Sequence, residues 1–345
     1  MKSILKKLFV LTLLITTILV SSACKPGESS EPTDNLPKLN IIDDKYRNWY
    51  EIFVYSFYDT NNDGYGDLNG VTKKLDYIKD MGYNGIWLMP ICPSPTYHKY
   101  DVKDYYQIDE AYGTLDDFKN LMTEAHKRGI KVIVDLVVNH SSSEHPWFKE
   151  AYSYVQKNQK TDGLYCDYYN FTTTPSTLGF TKVNGTNYYY ESRFWSGMPD
   201  LNLDSENVRN EIVNIMSYWL KDLGADGFRL DAVTSYYTGN VPKNVEFLSW
   251  LNTEAKKIKP DCYIVGEAWV GSDYEINRYY QSGIDSFFLF TGSQATGSIA
   301  SVVKQQSGNS LGKLMVSLQN TYGEIIANKG FVGDLLGENF WKSFP

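Results

Sequence analysis

Six short runs of apolar or β-branched residues recur along the body of the chain, separated by stretches in which apolar residues return every three or four positions. Near-continuous hydrophobicity over so few residues is typical of strands buried on both faces, as in a parallel sheet. The runs lie at residues 49–57, 85–89, 131–138, 227–230, 263–265 and 284–290. This alternation of strand and helix predicts an α/β fold, and the pattern alone fits both a βα-barrel and an open sheet.

Two of the intervening stretches carry clear helix signals. Thr114, with Asp117 three residues on, forms a capping-box pattern, and the apolar residues that follow share one helical face up to Gly129. A second amphipathic segment runs from about Ser205 to Gly224. Both segments predict helices that pack one face against the sheet.

One stretch breaks this rhythm. Residues 141–200 are polar, rich in Tyr, Thr and Asn, and show no helical period. Sixty residues are too many for a simple loop, so the stretch is predicted to be a small inserted subdomain. It divides the body of the chain into residues 45–140, the insertion 141–200, and residues 201–345.

The composition describes a folded, acidic and aromatic-rich protein. The 345 residues are 42% hydrophobic and 21% charged, which excludes a mainly disordered chain. The net charge of −8 disfavours a nucleic-acid partner. The 28 Tyr and 8 Trp residues suit stacking against sugar rings, whose C–H faces are apolar. Cys92, Cys166 and Cys262 form no CxxC or Cys/His cluster, which argues against a disulfide framework and a zinc site.

The first 44 residues have the pattern of an export signal and a tether. Residues 1–23 combine a lysine-rich start with an apolar run too short for an ordinary spanning helix, which predicts a signal peptide. The small residues before Cys24 resemble a bacterial lipoprotein box, although Ser21 stands where Leu is usual. We expect lipid on Cys24, a polar linker over residues 24–44, and anchoring to the outside of the bacterial membrane. A secreted protein with a plain cleaved signal is the alternative.

Polar residues collect at the ends of three predicted strands. Asp135 and His140 end the third run, Arg229 and Asp231 end the fourth, and Glu267 ends the fifth. In α/β folds the carboxyl ends of the strands share one rim, where functional side chains gather. The sequence therefore predicts that two or three carboxylates and an arginine meet there.

Two carboxylates beside a fixed cation are what retaining glycoside hydrolysis requires. One attacks the anomeric carbon while the other protonates the leaving oxygen. Arg229 would keep Asp231 ionised through its positive charge. Glu267 should have the higher pKa if it is the acid.

Five segments then resemble one known family. They are DLVVNH at 135–140, GFRLDAV at 227–233, GEAW at 266–269, MPDLN at 198–202 and YHKYD at 97–101. DLVVNH, GFRLDAV and GEAW resemble three signature regions of the α-amylase family, glycoside hydrolase family 13. MPDLN looks like the auxiliary region that this family numbers as its fifth. The fifth segment is similar to the family segment that follows the second barrel strand.

The resemblance implies a fold and catalytic roles. The fold is a (β/α)8 TIM barrel with a subdomain inserted after the third strand, which agrees with the break at 141–200. Asp231 would be the nucleophile, Glu267 the general acid/base, and Arg229 the residue that orients Asp231. Asp135 is expected to be structural and to tie its strand end to Arg229.

The same resemblance implies a substrate and the residues that hold it. His98, Tyr100 and His140 would bind the sugar at subsite −1, beside Arg229. The substrate would be an α-1,4-glucan, starch or maltooligosaccharides, cut within the chain. Lys99 stands where the family commonly has glycine.

A calcium loop is predicted just after the first strand. Oxygen-bearing side chains alternate there, with a glycine at the sharp turn, which is the chemistry that Ca²⁺ requires. An EF-hand is disfavoured because Gly70 stands where its terminal Glu would be. Many members of the α-amylase family carry a structural calcium loop here, and the alternative is a metal-free Asx-rich turn. The predicted ligands are Asp59, Asn61, Asp63, the Tyr65 carbonyl and Asp67.

The family's fourth signature region, of the form FxxNHD, does not occur in residues 290–345. That region carries a third carboxylate that stabilises the transition state. With a sixth helix expected at about 310–328, we expect the last two βα units and the C-terminal β-sandwich to be lacking. An incomplete barrel exposes strand edges, and loss of one transition-state contact costs about 10²–10³ in rate, so weak activity is expected.

Three alternatives stay open at this point. The chain could be a catalytically inactive surface lipoprotein that binds glucan, or a fragment that does not fold. Within the enzymes, specificity of the neopullulanase, cyclomaltodextrinase or α-glucosidase type is also compatible with these motifs.

Overall fold

The computed structural model describes residues 47–176, 178–270, 273–288, 290 and 304. The predicted signal peptide, the lipid site Cys24, the linker and the helix expected at about 310–328 lie outside these residues and stay predictions. Within the described ranges, none of the helices has the length and apolar character needed to cross a membrane.

Within the residues that the structure describes, nine strands form two sheets. The strands are β1 (Trp49–Ile52), β2 (Gly85–Leu88), β3 (Lys131–Leu136), β4 (Phe171–Thr172), β5 (Phe180–Lys182), β6 (Tyr189–Glu191), β7 (Gly227–Leu230), β8 (Tyr263–Gly266) and β9 (Ser286–Phe287). Six of them form a parallel sheet in the order β1-β2-β3-β7-β8-β9. Each predicted apolar run overlaps one of these six strands, so the α/β prediction is confirmed. The first run was predicted too long, because a 3₁₀ turn over Val54–Ser56 follows β1.

Helices connect the strands of the large sheet. They are α1 (Leu68–Lys73), α2 (Leu75–Asp80), α3 (Leu115–Lys127), α4 (Pro146–Asn158), α5 (Glu206–Ser217), α6 (Val241–Ile258) and α7 (Asp273–Tyr279). A π-helical turn at Tyr218–Asp222 continues α5. The buried faces of α3, α5 and α6 belong to one hydrophobic core with the strands.

The two predicted helices form where the sequence signals place them. Thr114 and Asp117 make both hydrogen bonds of the capping box at the start of α3. Gly129, at φ +74°, follows the end of this helix and supplies the left-handed conformation that glycine adopts without strain. Ser205 caps α5 by accepting a hydrogen bond from the Val208 N–H.

The stretch 141–200 contains a helix, which corrects the expectation that it lacks helical period. Helix α4 buries Phe148, Ala151 and Val155, which are spaced three and four residues apart. His145 caps this helix and proline occupies its first position, a start signal that the polar composition obscured. The rest of the stretch carries a small antiparallel sheet in the order β4-β6-β5.

Register across the large sheet sets which side chains meet. Asp135 of β3 pairs with Arg229 of β7, and Arg229 pairs with Val265 of β8. Side chains at paired positions point to the same face of a sheet. The close approach of β7 and β8 requires glycine at 227, where an added Cβ would lie 1.8 Å from the Tyr263 carbonyl oxygen. The carboxyl ends of β3, β7 and β8 are thereby held side by side.

Candidate active site

One arginine holds three carboxylates at the carboxyl ends of β3, β7 and β8. The Arg229 Nη1 atom lies 2.8 Å from Asp231 Oδ1 and 3.0 Å from Asp135 Oδ1. The Arg229 Nη2 atom lies 2.8 Å from Glu267 Oε2. The sequence prediction that these residues lie at one rim is confirmed by this geometry.

Backbone hydrogen bonds fix the segment after β7 against the segment after β8. The Glu267 N–H donates to the Leu230 carbonyl at 2.9 Å, and the Val233 N–H donates to the Glu267 carbonyl at 3.1 Å. Ala232 has φ +48°, and its N–H donates to Glu267 Oε2 at 3.3 Å. A non-glycine residue in this left-handed region is uncommon, so the backbone conformation is held by its surroundings. Asp231 and Glu267 therefore have a defined relative placement.

The charges of this cluster do not balance. Arg229 is nearly fully buried, and so is the side chain of Asp135, whereas Asp231 and Glu267 are 11% and 21% exposed. Burial raises the pKa of Asp135 to about 7, against the opposing pull of Arg229. Burial likewise raises the pKa of Glu267 above its ordinary value, with the charge of Asp231 adding to the effect. Because three carboxylates surround one cation, the cluster favours a state in which one carboxyl group is protonated. A general acid requires such a proton.

The predicted sugar-binding residues lie around this cluster. The Tyr100 hydroxyl donates to Asp135 Oδ2 at 3.4 Å, and the Arg229 guanidinium carbon lies 5.5 Å from the centre of the Tyr100 ring. The His98 ring lies 5.9 Å from that of Tyr100. The structure therefore brings Tyr100 to the acids and places His98 next to it.

His140, at the end of β3, is buried and neutral. Burial lowers the pKa of its imidazole to about 4. Its Nδ1 atom lies 3.2 Å from the Asn139 side-chain amide, whereas its Nε2 atom has no hydrogen-bond partner within the described residues. An unsatisfied buried nitrogen is costly, so a polar ligand group at Nε2 would stabilise this arrangement.

Sequence reasoning missed three residues beside the acids. The Trp87 indole N–H donates to Asp135 Oδ2 at 3.2 Å, and its ring lies 5.0 Å from the Arg229 guanidinium. The buried Tyr236 hydroxyl, near the Asp231 charge, has no partner among the described side chains. Glu51 is paired in register with Trp87, and burial raises its pKa. Register could have suggested Trp87 and Glu51, because they fall on the strand positions that share a face with Asp135.

Lys99, the departure from the family pattern, has a structural role. Its backbone adopts φ +62°, a conformation that favours glycine. Its buried ammonium lies 2.6 Å from Asp109 Oδ2 and 4.8 Å from the centre of the Tyr112 ring. The ion pair and the cation–π contact offset the backbone cost of a side chain at this position.

The predicted calcium loop is held by hydrogen bonds from its own N–H groups to its side-chain oxygens. Asp59 accepts hydrogen bonds from the N–H groups of Asn61, Asn62 and Gly64, at 3.1, 2.7 and 3.0 Å. The Asn61 amide donates to Asp63 Oδ2 at 2.9 Å. Gly64 makes the sharp turn with φ +92°. The side-chain oxygens of Asp59, Asn61 and Asp63 thus accept hydrogen bonds from N–H groups of the loop itself.

Asp67, the last predicted ligand, also caps helix α1. Its carboxylate accepts the Gly70 N–H at 2.7 Å and the Thr60 N–H at 2.8 Å. In the part of the chain that the structure describes, no three His, Cys, Asp or Glu side chains cluster as metal ligands. A calcium site here would thus depend on the Asn61 amide and the Tyr65 carbonyl beside the acids, a set of hard oxygens that suits Ca²⁺.

A parallel βα sheet that presents paired acids and an arginine at its carboxyl rim has the architecture of a barrel-type glycoside hydrolase. The family model for the α-amylase catalytic domain matches residues 51–322. The chain belongs to the α-amylase family, and the described sheet holds six strands of its (β/α)8 barrel.

Individual relatives agree with this assignment. α-Amylase 3 of Dictyoglomus thermophilum is 46% identical over 251 residues, covering 71% of this chain and 48% of the relative. An oligo-1,6-glucosidase of Heyndrickxia coagulans is 39% identical over 262 residues, 67% of this chain and 46% of the relative. The structure of Eubacterium rectale Amy13B is 50% identical with a TM-score of 0.76, covering 80% of this chain and 55% of that protein. The chain thus spans about half the length of the curated relatives it matches.

Proposed function

We propose that this protein hydrolyses α-1,4-glucosidic bonds within starch and maltooligosaccharides, with retention of configuration at the anomeric carbon. The observation that carries the proposal is the Arg229 cluster, in which one guanidinium holds Asp231 and Glu267 at 2.8 Å each. A nucleophile needs to be ionised and a general acid protonated at the same pH. Arg229 lies between both carboxylates, and burial together with the neighbouring Asp231 charge raises the pKa of Glu267, which suits it to the role of the acid.

In this mechanism Asp231 attacks the anomeric carbon while Glu267 gives its proton to the leaving glycosidic oxygen. A covalent glycosyl–Asp231 ester forms and the C–O bond to the leaving sugar breaks. Glu267, now ionised, takes a proton from water, which attacks the same carbon and releases Asp231. Tyr100, His98 and His140 would hold the sugar at the cleavage point.

Substrate choice separates this proposal from its alternatives. The proposal is supported by the Dictyoglomus relative, named an α-amylase, whereas the Heyndrickxia relative is named an oligo-1,6-glucosidase. Initial product release is measured with maltoheptaose and with isomaltose, using the Glu267→Gln chain as the blank. Early products of several lengths from maltoheptaose are expected. Glucose alone, or faster cleavage of isomaltose, would indicate a glucosidase, and binding without any product would indicate a glucan-binding protein.

We further propose that the loop over residues 59–67 binds Ca²⁺ and that the ion stabilises the fold. The ion would be held by Asp59, Asn61, Asp63, the Tyr65 carbonyl and Asp67, and it would neutralise acids that the turn brings together. Its role is structural, because these residues lie outside the Arg229 cluster.

Removal of calcium should therefore lower the melting temperature. A ligand at 100 times its Kd adds about 2.7 kcal/mol of stability, so EDTA is expected to lower Tm by about 5 °C or more. Calorimetry with Ca²⁺, with EDTA, and with Mg²⁺ in place of Ca²⁺ measures this shift. The Asp63→Ala chain should lose the response to Ca²⁺. An unchanged Tm in EDTA, or the same response in Asp63→Ala, would show that the loop is a metal-free turn.

A further inference from the structure

An exposed tryptophan lies in the segment that follows β6. Trp195 is 50% exposed, and its indole lies against Gly197. A Cβ built on Gly197 would come within 2.2 Å of the indole Cη2 atom, so this packing requires glycine. The backbone thus supports the ring on one side, while the ring also borders a cavity of about 370 Å³.

The lining of this cavity suits a neutral ligand rich in hydroxyl groups. Phe148 and Tyr190, with ring centres 4.8 Å apart, contribute aromatic rings to this lining. Hydroxyl groups and one ammonium, from Ser143, Ser153, Ser196 and Lys149, provide hydrogen-bonding groups around it. The described lining contains no carboxylate. An aromatic platform with a few polar groups, in a cavity of this size, is typical of a small-molecule site.

The cavity is tied to the strand end that carries His140. The Ser141 N–H donates to the Pro199 carbonyl at 3.1 Å, and the Ser143 N–H donates to the Gly197 carbonyl at 2.8 Å. Phe194, the neighbour of Trp195, lies 5.3 Å from the His140 ring. Consecutive residues of one segment thus contact a predicted sugar-binding histidine and the cavity.

We propose that Trp195 and its cavity form a second α-glucan-binding site next to the candidate active site. A glucose ring stacks on the indole, and its hydroxyl groups bond the serines and Lys149. The site holds a further part of the polymer while another part occupies the Arg229 cluster. This inference rests on the proposed function for its ligand class, but it concerns binding and not cleavage.

Native electrophoresis in gels that contain soluble starch tests this site without turnover. The parent is the full chain with Glu267→Gln, and Trp195→Ala is added to it. Stacking of an aromatic ring contributes about 0.5–1.5 kcal/mol, so the Kd for starch should rise about 2- to 12-fold. Trp195→Phe should keep most of the retardation, and Lys149→Ala should weaken it without removing the platform.

Two controls make the result specific. Tyr77→Ala, which removes a comparably exposed ring (51%) on helix α2, should leave retardation in starch unchanged. Gels with a β-1,4-glucan should retard none of the variants. Thermal unfolding of each variant checks that the fold is retained.

The outcomes separate this inference from the proposed function. If the unmodified chain cleaves maltotriose but Trp195→Ala and Lys149→Ala bind starch as the parent does, the second site is wrong and the enzyme proposal stands. If the chain cleaves no glucan but its starch binding depends on Trp195, the second site is supported and the enzyme proposal is overturned.

Discussion

The Glu267→Gln variant is expected to lose about 10²–10⁴-fold in kcat on maltoheptaose, because the amide cannot give a proton to the leaving oxygen. Glutamine keeps the size of the side chain and can still contact Arg229, so the Kd for glucan should change little. Steady-state kinetics and calorimetric binding measure the two quantities. The matched control is Glu51→Gln, another acid of the same sheet face, for which a loss below about 10-fold is expected.

Leaving-group chemistry distinguishes lost acid catalysis from general damage. An α-glucosyl fluoride releases fluoride without protonation, so the Glu267→Gln chain should cleave it far better than it cleaves maltoheptaose. In the unmodified chain, burial raises the pKa of Glu267 above 4.5, and activity should fall as the pH rises through that raised value. Equal losses on both substrates would show that Glu267 is not the acid.

The Arg229→Met variant is expected to be less stable by about 3–5 kcal/mol, because three partly or fully buried carboxylates lose their cation. Without the cation, the pKa values of Asp135 and Glu267 should rise further in the folded state. A folded-state pKa above the unfolded value favours folding at low pH, and that stability is lost as the pH rises. The destabilisation should therefore be smaller at pH 5 than at pH 8.

Urea unfolding at the two pH values measures this effect. Arg229→Lys serves as the control. It keeps the positive charge but loses the forked geometry that contacts three acids at once, and its destabilisation should be smaller. Equal stability of Arg229→Met and the unmodified chain, or a loss that does not depend on pH, would contradict the account of the cluster.

The sequence predicted the acids of the site because strand ends can be read from local patterns. Asp231 and Glu267 each follow a short apolar run, and parallel strands bring such positions to one rim. The resemblance to the α-amylase family added roles for residues, such as His98 and Tyr100, that lie in irregular segments. The motif at 227–233 placed Arg229 two residues from Asp231, which is the spacing that points both side chains the same way.

What the sequence did not predict depends on contacts between distant segments. Trp87 donates to Asp135 across 48 positions of the chain, and only the pairing of β2 with β3 reveals it. Helix α4 was missed because only three of its residues, Phe148, Ala151 and Val155, are buried, and they lie in a polar stretch of the sequence. The packing of the Trp195 indole against Gly197 could not be predicted from the spacing of residues in the sequence.

The most direct test of the central claim is to trap the glycosyl ester on Asp231. A fluorinated α-glucosyl fluoride, in which ring fluorine slows hydrolysis of the ester, is incubated with the chain, and peptides are mapped by mass spectrometry. Attack by the Asp231 carboxylate would expel fluoride, so the peptide that contains Asp231 should gain one fluoroglucosyl unit, and the Asp231→Asn chain should gain none. A label on Glu267 or another residue, or release of fluoride with no labelled peptide, would contradict the assignment of Asp231 as the nucleophile.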